Sequence, residues 1–309
     1  MSGRPAKRVA VLMGGWSPER EVSLVTGKAC ALGLREAGYT VAEIDVDHDL
    51  PALIRRLTPR PDAVFNALHG TGGEDGTIQG VLDFLSIPYT HSGLLASALA
   101  MDKPAAKRIF AAEGIRCPEG RVLPFAHLQE GEPLPRPYVL KPTHEGSSVG
   151  VYIVREGENA PPPTEAEWPY GRDVLAERFI PGREITVAVM GDRAIGALEI
   201  RPRGAFYDYN AKYVPGGSDH IVPAPIPKPA YEAALDYALR AHRALGCRGV
   251  TRADLRYDDT GGREDMYLLE INTQPGMTPT SLVPEIAAFA GYSFPDLVAW
   301  MVEEARCGS

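Results

Sequence analysis

Residues 250–257 read VTRADLRY and residues 266–271 read MYLLEI, and apolar side chains alternate with polar ones along these runs. An alternation of period two predicts β-strands. Between the runs, residues 258–262 read DDTGG, a composition typical of a tight turn. The sequence therefore predicts an antiparallel hairpin in this part of the chain.

The predicted hairpin carries polar side chains on one face. Arg252 and Asp254 point to that face, as do Glu270 and Asn272, whereas Leu269 is predicted to point to the opposite face. Carboxylate and amide oxygens suit Mg²⁺, which keeps several waters and takes further ligands from nucleotide phosphates. We interpret the hairpin as a magnesium–nucleotide site.

A solvated hairpin face is the alternative interpretation, because carboxylates are common on such faces. The residues that follow the hairpin, TQPGMT at 273–278, favour the nucleotide site. A glycine loop directly after the second strand can turn its backbone N–H groups toward an anion held there.

Composition restricts the class of protein. The 309 residues are enough for two or three domains, and 44% hydrophobic with 23% charged residues is ordinary for a soluble globular chain. The net charge of −8 argues against a nucleic acid or an anionic membrane as partner. Any anionic substrate must therefore be held by local lysines and arginines.

Cysteine usage indicates the compartment. The four cysteines are scattered, without a CxxC pair or a histidine at metal-ligand spacing: Cys30, Cys117, Cys247 and Cys307. This pattern predicts reduced thiols in a cytoplasmic protein and no structural zinc. The first apolar run, residues 9–13, is too short for a signal-peptide core, and no run approaches the roughly 20 apolar residues of a membrane span.

The first third of the chain alternates strands with helices, one of which is predicted to end at Gly38. Strands are predicted at residues 8–13, 39–46, 63–68 and 87–90. This order implies a parallel, doubly wound sheet with sites at the carboxyl ends of its strands. The glycines at 14–15 and HGTGG at 69–73 fall at those ends. Neither is GxGxxG, so a dinucleotide site is disfavoured.

Two further regions follow. A helix led by DKP at 102–104 opens the second region, which has strands near 138–141, 151–154 and 174–179. The third region starts near Pro181 and includes an amphipathic helix that stops at Gly246. The predicted apolar face of that helix comprises Tyr231, Leu235, Ala238, Leu239, His242 and Leu245.

Residues 146–150 read GSSVG and fit the G-x-S-x-G nucleophile elbow of serine hydrolases. An elbow leads from a strand into a helix, whereas residues 151–154 are predicted to form a strand. A Gly/Ser-rich loop between two strands is instead typical of a flap that closes over phosphates, with Lys141 at its entrance as a phosphate-binding cation. A plain hairpin turn is the third interpretation.

Other candidate nucleotide-binding residues have plain alternatives. TGK at 26–28 lacks the upstream glycine of a Walker A loop, so P-loop chemistry is excluded. Lys103 opens a predicted helix, whose N-terminus and charge suit a phosphate; a solvated surface lysine is the alternative. Glu177 and Glu184 flank RFIPG at 178–182, where a strand end suits adenosine, although an ordinary strand end with exposed charges fits equally.

Residues 203–217, RGAFYDYNAKYVPGG, show neither helical nor strand periodicity. A long aromatic loop bracketed by glycines is typical of a lid that packs by its own side chains. Lys212 lies near its tip and would be carried to a γ-phosphate on closure. A merely structural Ω-loop is the alternative.

Short stretches in one order along the chain carry a family resemblance: GG at 14–15, EREVS at 19–23, ALHG at 67–70, GEDG at 73–76, MDK at 101–103, KP at 141–142, EGSSVG at 145–150, FYDY at 206–209, AKY at 211–213, LEINT at 269–273, PGMT at 275–278 and SLVP at 281–284. Together they resemble the D-alanine–D-alanine ligases of the ATP-grasp superfamily. The resemblance covers essentially the whole chain.

The resemblance implies an α/β fold. Residues 1–93 would form the N-terminal doubly wound parallel-sheet domain that precedes a two-part ATP-grasp fold. Residues 94–180 would form its central subdomain, and residues 181–309 its C-terminal subdomain with the Ω-loop lid. The family forms homodimers and joins two D-alanines through a D-alanyl phosphate, releasing ADP and phosphate, to make a peptidoglycan precursor.

The resemblance also implies the cofactor ligands. Asp254, Glu270 and Asn272 would bind two Mg²⁺ ions that bridge the phosphates of ATP, and Mn²⁺ substitutes for Mg²⁺ in such sites. ATP itself would be bound by a set of phosphate and adenosine ligands: Lys103, Lys141, Ser148, Lys212, Glu177 and Glu184.

Substrate roles carry over in the same way. Glu19 would take the ammonium of the first D-alanine and connect through hydrogen bonds to Ser147 and Tyr213, which lock the lid. Arg252 and the Gly276 N–H would form the oxyanion hole. The remaining substrate-binding residues are His69 near the first amino acid, and Ser281 with Leu282 at the carboxylate of the second.

Departures from the family pattern are small. Thr143-His144 precedes the serine loop where relatives often carry Ser-Arg, and Arg178 replaces a frequent lysine beside the adenine. Neither removes a catalytic group. Relatives that make an ester with D-lactate differ at the lid, so the pair Lys212-Tyr213 resembles the amine-accepting type.

Two functions from other classes compete with the ligase. A serine hydrolase using Ser148 would be labelled by a fluorophosphonate probe and would not release ADP with Mg²⁺. A non-catalytic nucleotide-binding module would bind ATP without turnover, although an intact set of carboxylates, lysines and an arginine is unusual for such a module.

Overall fold

The structure is a computed structural model that describes residues 7–146, 149–157, 163–164, 167–203, 217–278 and 281–308. Its strands form three sheets, which follow one another along the chain. Over these described residues, no helix is both long enough and apolar enough to cross a membrane.

The N-terminal sheet is parallel and has the order β2-β1-β3. Its strands are β1 (Arg8–Gly14), β2 (Thr40–Val46) and β3 (Ala63–Asn66). Helices α1 (Arg20–Glu36), α2 (Leu50–Arg56) and α3 (Thr77–Phe84) connect or follow them. This alternation confirms the predicted parallel sheet.

The expected fourth strand at residues 87–90 is reduced to isolated bridges. Tyr89 pairs with Val64 in parallel and with Arg306 in antiparallel orientation. The segment is short and lies between two partners that belong to distant parts of the chain. It therefore closes the edge of the sheet without forming a ladder of its own.

The second sheet is antiparallel, with the order β4-β7-β5-β6. Its strands are β4 (Gly120–Pro124), β5 (Tyr138–Pro142), β6 (Tyr152–Val154) and β7 (Asp173–Arg178). A single turn of 3₁₀ helix, Phe125–Gln129, covers a small aromatic core with Trp168. The helices α4 (Leu94–Met101) and α5 (Lys103–Ala112) precede the sheet.

The third sheet is antiparallel, with the order β10-β9-β8-β11-β12. Its strands are β8 (Arg183–Met190), β9 (Arg193–Pro202), β10 (Ser218–Ile221), β11 (Val250–Asp258) and β12 (Asp265–Asn272). β11 and β12 pair in antiparallel orientation across the predicted turn, so the hairpin is confirmed.

Helix α6 (Lys228–Ala244) packs on this sheet through the predicted face, of which Ala238, His242 and Leu245 are buried. Its buried side chains are Ala230, Ala234, Ala238, Ala241 and His242, whereas Tyr231 and Leu235 are only partly buried. Small side chains allow the helix axis to approach the sheet closely, so the alanines form the contact. The apolar residues beside them flank it.

The hairpin departs from regular pairing at one point. Asp254 pairs with Glu270, but Leu255 pairs with Leu268, so β12 contains one extra residue, Leu269. The prediction that Leu269 points away from Glu270 is wrong, because both line the same cleft. A bulge of this kind re-aims the side chains beside it.

The last helices return to the first sheet. Helix α7 (Leu282–Phe289) and helix α8 (Phe294–Glu303) contribute Val283, Val298 and Met301 to a core that also contains residues of β1 and α1. The Tyr39 hydroxyl donates a hydrogen bond to Glu303 Oε1 at 2.6 Å. The N-terminal core is thus completed by the C-terminal segment.

Candidate active site

A cleft lies between the second sheet and the β11–β12 hairpin. Its apolar lining comprises Val139, Val151, Ile153, Phe179, Ile180 and Leu269. Its charged lining includes Lys103, Lys141, Glu177, Glu184, Asp254 and Glu270. The structure therefore brings together six of the side chains predicted to contact ATP or metal, while Asn272 lines a smaller cavity alongside Lys103 and Glu270.

The floor of the cleft contains a buried carboxylate between two ammonium groups. Glu177 Oε2 lies 2.5 Å from Lys141 Nζ, and its other oxygen contacts Lys107 Nζ. Burial alone would raise the pKa of Glu177, but the charges of Lys141 and Lys107 outweigh burial and hold that pKa below its usual value. Glu177 is therefore a carboxylate that positions Lys141.

The pKa of Lys141 is affected in a matching way. Burial opposes its charge, but the carboxylates of Glu177 and Glu270 outweigh burial and raise the pKa of Lys141. The ammonium group therefore keeps its positive charge in a nearly solvent-free position. A fixed charge of this kind is suited to hold a phosphate.

Lys103 reaches the cleft from the first turn of α5. Asp102 caps that helix by accepting a hydrogen bond from the Ala105 N–H at 2.9 Å. The Lys103 ammonium contacts the Glu145 carbonyl and lies 3.5 Å from Glu270 Oε2. It therefore links the helix, the loop before residue 146 and the hairpin.

Asp254 on the hairpin accepts several hydrogen bonds from neighbouring side chains. Arg252 donates to both of its oxygens, from Nε at 2.8 Å and from Nη2 at 2.7 Å. The Thr186 hydroxyl donates to Oδ1 at 2.8 Å, and Asn272 Nδ2 donates to Oδ2 at 3.0 Å. These contacts orient Asp254 toward Glu270 across the hairpin.

This donor set fits Mg²⁺. Asp254 pairs with Glu270 and Arg252 pairs with Asn272 in the hairpin register, so three oxygen-bearing side chains lie on adjacent strands. The described residues contain no cluster of three His, Cys, Asp or Glu side chains that would hold a metal by itself. The ion would take its other ligands from water and phosphate oxygens, as Mg²⁺ commonly does.

One end of the cleft is formed by the turn between β7 and β8. Arg256 donates to the Ile180 carbonyl at 3.1 Å and the Gly182 carbonyl at 2.8 Å, and its Nη1 lies 3.4 Å from Glu184 Oε2. Gly182 has φ +87, and a Cβ there would collide with the Tyr257 carbonyl. Arg256 and Gly182 thus fix the shape of this turn.

Glu19 lies in the loop after β1. It is buried and immediately precedes α1, and its carboxylate lies so close to Gly70 that a Cβ on that glycine would crowd it. The Ser17 hydroxyl donates to the His69 carbonyl at 2.6 Å. The loops after β1 and β3 therefore meet, as the parallel sheet predicts.

His69 is buried between two partners in the same region. Its Nδ1 lies 2.9 Å from Glu74 Oε1, and its Nε2 lies 3.0 Å from the Thr26 hydroxyl. Because both ring nitrogens are already hydrogen-bonded, His69 supports the loop beside Glu19.

The loop after β12 is tied to the N-terminal sheet. Asn66 Nδ2 donates to Gln274 Oε1 at 2.6 Å, and Gln274 donates to the Leu68 carbonyl. The Ser281 hydroxyl accepts a hydrogen bond from the Thr278 N–H at 2.9 Å. A Cβ on Gly276 would lie 3.0 Å from that same hydroxyl, so Ser281 and Gly276 are neighbours.

Leu282 occupies the first turn of α7. Its side chain is 6% exposed and belongs to the hydrophobic core. Its backbone N–H lies at the N-terminus of this helix, a position that suits a carboxylate. The predicted role of Leu282 in substrate binding stays a prediction. Because its side chain is buried in the core, only its backbone could bind substrate.

Four predicted site residues lie outside the described residues: Ser147, Ser148, Lys212 and Tyr213. The segment around the two serines leads from β5 to β6, which pair in antiparallel orientation. The Gly146–Gly150 loop thus joins two strands, and the strand-to-helix context of a nucleophile elbow is absent there.

Sequence reasoning missed Lys107, Arg256 and Thr186, and only the first two had a signal in the local sequence. Lys107 lies four residues after Lys103 and so shares its helix face. Arg256 continues the alternation of Arg252 and Asp254 along β11. Thr186 is the cross-strand partner of Asp254 on β8 and could be found only from the pairing of those strands.

The chain has an N-terminal parallel sheet followed by two antiparallel sheets, with a cleft lined by lysines and carboxylates. This arrangement defines the ATP-grasp class of ligases. The family model described as D-ala D-ala ligase N-terminus matches residues 52–92, and that described as D-ala D-ala ligase C-terminus matches residues 125–303. The chain belongs to the D-alanine–D-alanine ligase family.

Individual relatives agree over nearly the whole chain. The D-alanine–D-alanine ligase of Paramagnetospirillum magneticum is 60% identical over 98% of this chain and 99% of its own length. That of Acidiphilium cryptum is 59% identical over 97% and 99%. The crystal structure of the Bacillus anthracis D-alanine–D-alanine ligase complexed with ATP matches with a TM-score of 0.81 at 30% identity, covering 97% of each chain.

Proposed function

We propose that this protein joins two D-alanines to D-alanyl-D-alanine through a D-alanyl phosphate, releasing ADP and phosphate, in the cytoplasm, as a step of peptidoglycan precursor synthesis. The observation that carries the proposal is the cleft in which Lys103, Lys141, Asp254 and Glu270 converge beside an apolar pocket. Membership of the D-alanine–D-alanine ligase family supplies the substrates.

The first half of the reaction activates a carboxylate. Joining a carboxylate to an amine is unfavourable in water. A carboxylate oxygen of the first D-alanine therefore attacks the γ-phosphorus of ATP, the bond to the bridging oxygen breaks, and D-alanyl phosphate and ADP form. Lys103 and Lys141 hold the phosphates, and Mg²⁺ bound by Asp254, Glu270 and Asn272 would neutralise charge on the phosphoryl oxygens. Lys212 and Ser148 complete the phosphate ligands in this proposal.

The second half forms the peptide bond. The carboxylate of the second D-alanine is held by Ser281 and the Leu282 N–H. Its amine attacks the acyl carbon, the bond to the phosphate oxygen breaks, and phosphate leaves. Arg252 and the Gly276 N–H stabilise the oxyanion, and such a donor is typically worth about 3–4 kcal/mol. Glu19 holds the ammonium of the first D-alanine.

Closure of residues 203–217 over the cleft protects the acyl phosphate from water. Tyr213 and Ser147 would hold that closed state through hydrogen bonds to Glu19. Glu177 and Glu184 would bind adenosine, Glu177 from the floor and Glu184 from the turn that Arg256 supports. His69 supports the loop at the first amino acid.

We further propose that the protein is a homodimer. Phe84 on α3 is 90% exposed, and Leu94 and Leu95 on α4 are also exposed. Gly80, one turn before Phe84, lies against Leu94, so the two helices present one apolar face. Light scattering should give twice the chain mass, and Phe84→Glu should yield monomers; a monomeric wild type would refute this part.

The reaction is tested by measuring ADP release in the presence of ATP and Mg²⁺ with D-alanine, with L-alanine and without an amino acid. The product is identified by mass spectrometry. Release only with D-alanine, together with a dipeptide, is the expected result. Absence of ADP release with any amino acid would refute the ligase reaction. Labelling of Ser148 by a fluorophosphonate would instead support a hydrolase.

A further inference from the structure

A hydrogen-bonded row of three side chains joins β10 to α7, outside the nucleotide cleft. His220 Nδ1 lies 3.0 Å and 2.9 Å from the two carboxylate oxygens of Glu285, and His220 Nε2 lies 3.0 Å from the Ser218 hydroxyl. All three residues are partly buried. None of them lines the cleft, and no step of the proposed reaction uses them.

His220 can gain or lose a proton without losing either partner. The neutral ring donates from Nδ1 to Glu285 and accepts at Nε2 from the Ser218 hydroxyl. The imidazolium donates from both nitrogens, and Ser218 then accepts, because a hydroxyl group can play either part. The hydrogen bonds are therefore kept in both states, and the difference between the states is one unit of charge.

The charged side chains beside His220 on β9 and β10 lie on the opposite face of the sheet. His220 pairs with Ile200, whose side chain packs in the core that includes Leu282 and Ile286 of α7. Because side chains alternate along a strand, the flanking charges point away from α7. There they form two ion pairs, Glu199–Arg201 at 2.8 Å and Asp219–Arg203 at 2.7 Å.

Glu285 lies one helical turn after the residues assigned to the second amino acid. It is the one charged residue of α7, whose sequence is LVPEIAAF. Ser281 is the N-cap of this helix, and the Glu285 N–H lies 3.4 Å from the Ser281 carbonyl oxygen. Residues four apart on a helix are neighbours. A carboxylate bound at Ser281 would therefore meet the negative charge of Glu285, and both would compete for the positive end of the same helix.

We propose that His220 sets the affinity of the second amino-acid site by controlling the net charge beside it. A protonated His220 cancels the charge of Glu285, whereas a neutral His220 leaves that charge next to the bound carboxylate. Both are positioning residues, which act through the end of α7 without touching the substrate. This inference rests on the proposed function, which places the carboxylate of the second D-alanine at Ser281 and the Leu282 N–H.

A change of pH should alter this affinity in one direction. Histidine side chains ordinarily change charge between about pH 5 and pH 8. Below this range the pair of His220 and Glu285 is neutral, and above it the pair carries one negative charge. The KM for the second D-alanine should therefore be raised at high pH by about two- to fivefold, the usual effect of one charge near a helix end.

The test compares the wild type with Glu285→Gln, which keeps the size and an accepting oxygen of Glu285 but carries no charge. Initial rates of ADP release are measured at saturating ATP over a range of D-alanine concentrations and fitted with one KM for each amino acid. The second KM of the wild type is divided by that of Glu285→Gln at each pH. Ionisation of the D-alanine amine is common to both enzymes and cancels in this ratio. We expect the ratio to be near one at about pH 6 and about two to five at about pH 8.5.

Two further variants separate the charge from the contact. His220→Gln keeps a hydrogen bond to Glu285 but binds no proton, so the same ratio should be about two to five at both pH values. Glu232→Gln removes an exposed carboxylate that pairs with Lys228 on α6, and this matched control should have the KM values of the wild type. A merely structural role of the pair would instead change the second KM equally at both pH values.

The inference would be overturned if the ratio stayed constant between the two pH values while the wild type formed dipeptide. Should Glu285→Gln fail to fold, a second KM of His220→Gln that varied with pH as that of the wild type does would overturn it as well. Absence of ADP release from the wild type would overturn the proposed function, and this inference with it.

Discussion

Replacing Lys107 by Met tests whether Lys107, which does not line the nucleotide cleft, positions Lys141, which does. Lys107 and Lys141 both bind the carboxylate of Glu177, whose side chain is 3% exposed. Lys107→Met removes one charge-assisted hydrogen bond from this buried group and leaves the other. Such bonds contribute about 1.5–3 kcal/mol, less than the roughly 3–5 kcal/mol expected when a buried charge loses its sole partner.

We therefore expect Lys107→Met to lower the free energy of unfolding by about 2 kcal/mol. Without Lys107, Glu177 attracts Lys141 more strongly and withdraws it from the phosphates, so KM for ATP should rise while kcat changes little. Urea denaturation measures the first effect, and initial rates of ADP release over a range of ATP concentrations measure the second.

Lys228→Met is the matched control, because Lys228 forms an exposed i,i+4 pair with Glu232 on α6. Exposed pairs contribute little, at most about 1 kcal/mol. The reasoning would be refuted if Lys107→Met were as stable as Lys228→Met and had the KM of the wild type.

Other perturbations have equally definite outcomes. Arg252→Ala should lose about 10²–10³ in kcat while ATP still binds; near-normal turnover in the ADP assay would remove Arg252 from the oxyanion hole. Tyr213→Ala should raise the ratio of ATP hydrolysed to dipeptide formed, and an unchanged ratio would count against the lid. Chelation of Mg²⁺ should abolish ADP release and added Mn²⁺ should restore it; activity that survives chelation contradicts the metal assignment. Because the pKa of Glu177 is lowered from 4.5 in the folded protein, its charge stabilises the fold above that pH and this contribution is lost as pH falls below it. The urea midpoint of Glu177→Gln should accordingly fall less between pH 5 and pH 3 than that of the wild type, and parallel curves would contradict this.

The regular spacing of apolar residues predicted the strands and helices that carry the site. The alternation along residues 250–257 placed Arg252 and Asp254 on one face of β11, and the turn residues set the hairpin that brings Glu270 opposite Asp254. Likewise, the order of strands and helices in the first third predicted that the loops after β1 and β3 meet. These features depend on local geometry, which residue type and spacing determine.

Features that depend on distant pairing could not be predicted. The extra residue Leu269 in β12 follows from the register of two strands, and either register satisfies the apolar pattern of a short segment. The contact of Glu177 with Lys107 joins β7 to α5, and the link between Asn66 and Gln274 joins the end of β3 to the loop after β12. No local pattern encodes such contacts.

The return of α8 to the first sheet has a consequence for how the chain folds. The surface of α1 that carries Leu34 is covered by Val298 and Met301, which the ribosome adds more than 250 residues later. The core on this side of the N-terminal sheet must therefore stay open during synthesis of most of the chain, whereas the core on its other side lies wholly within residues 10–89. We expect the amides of the core on the α8 side to gain protection from hydrogen exchange only after α8 has emerged, later than those of the β8–β11 sheet.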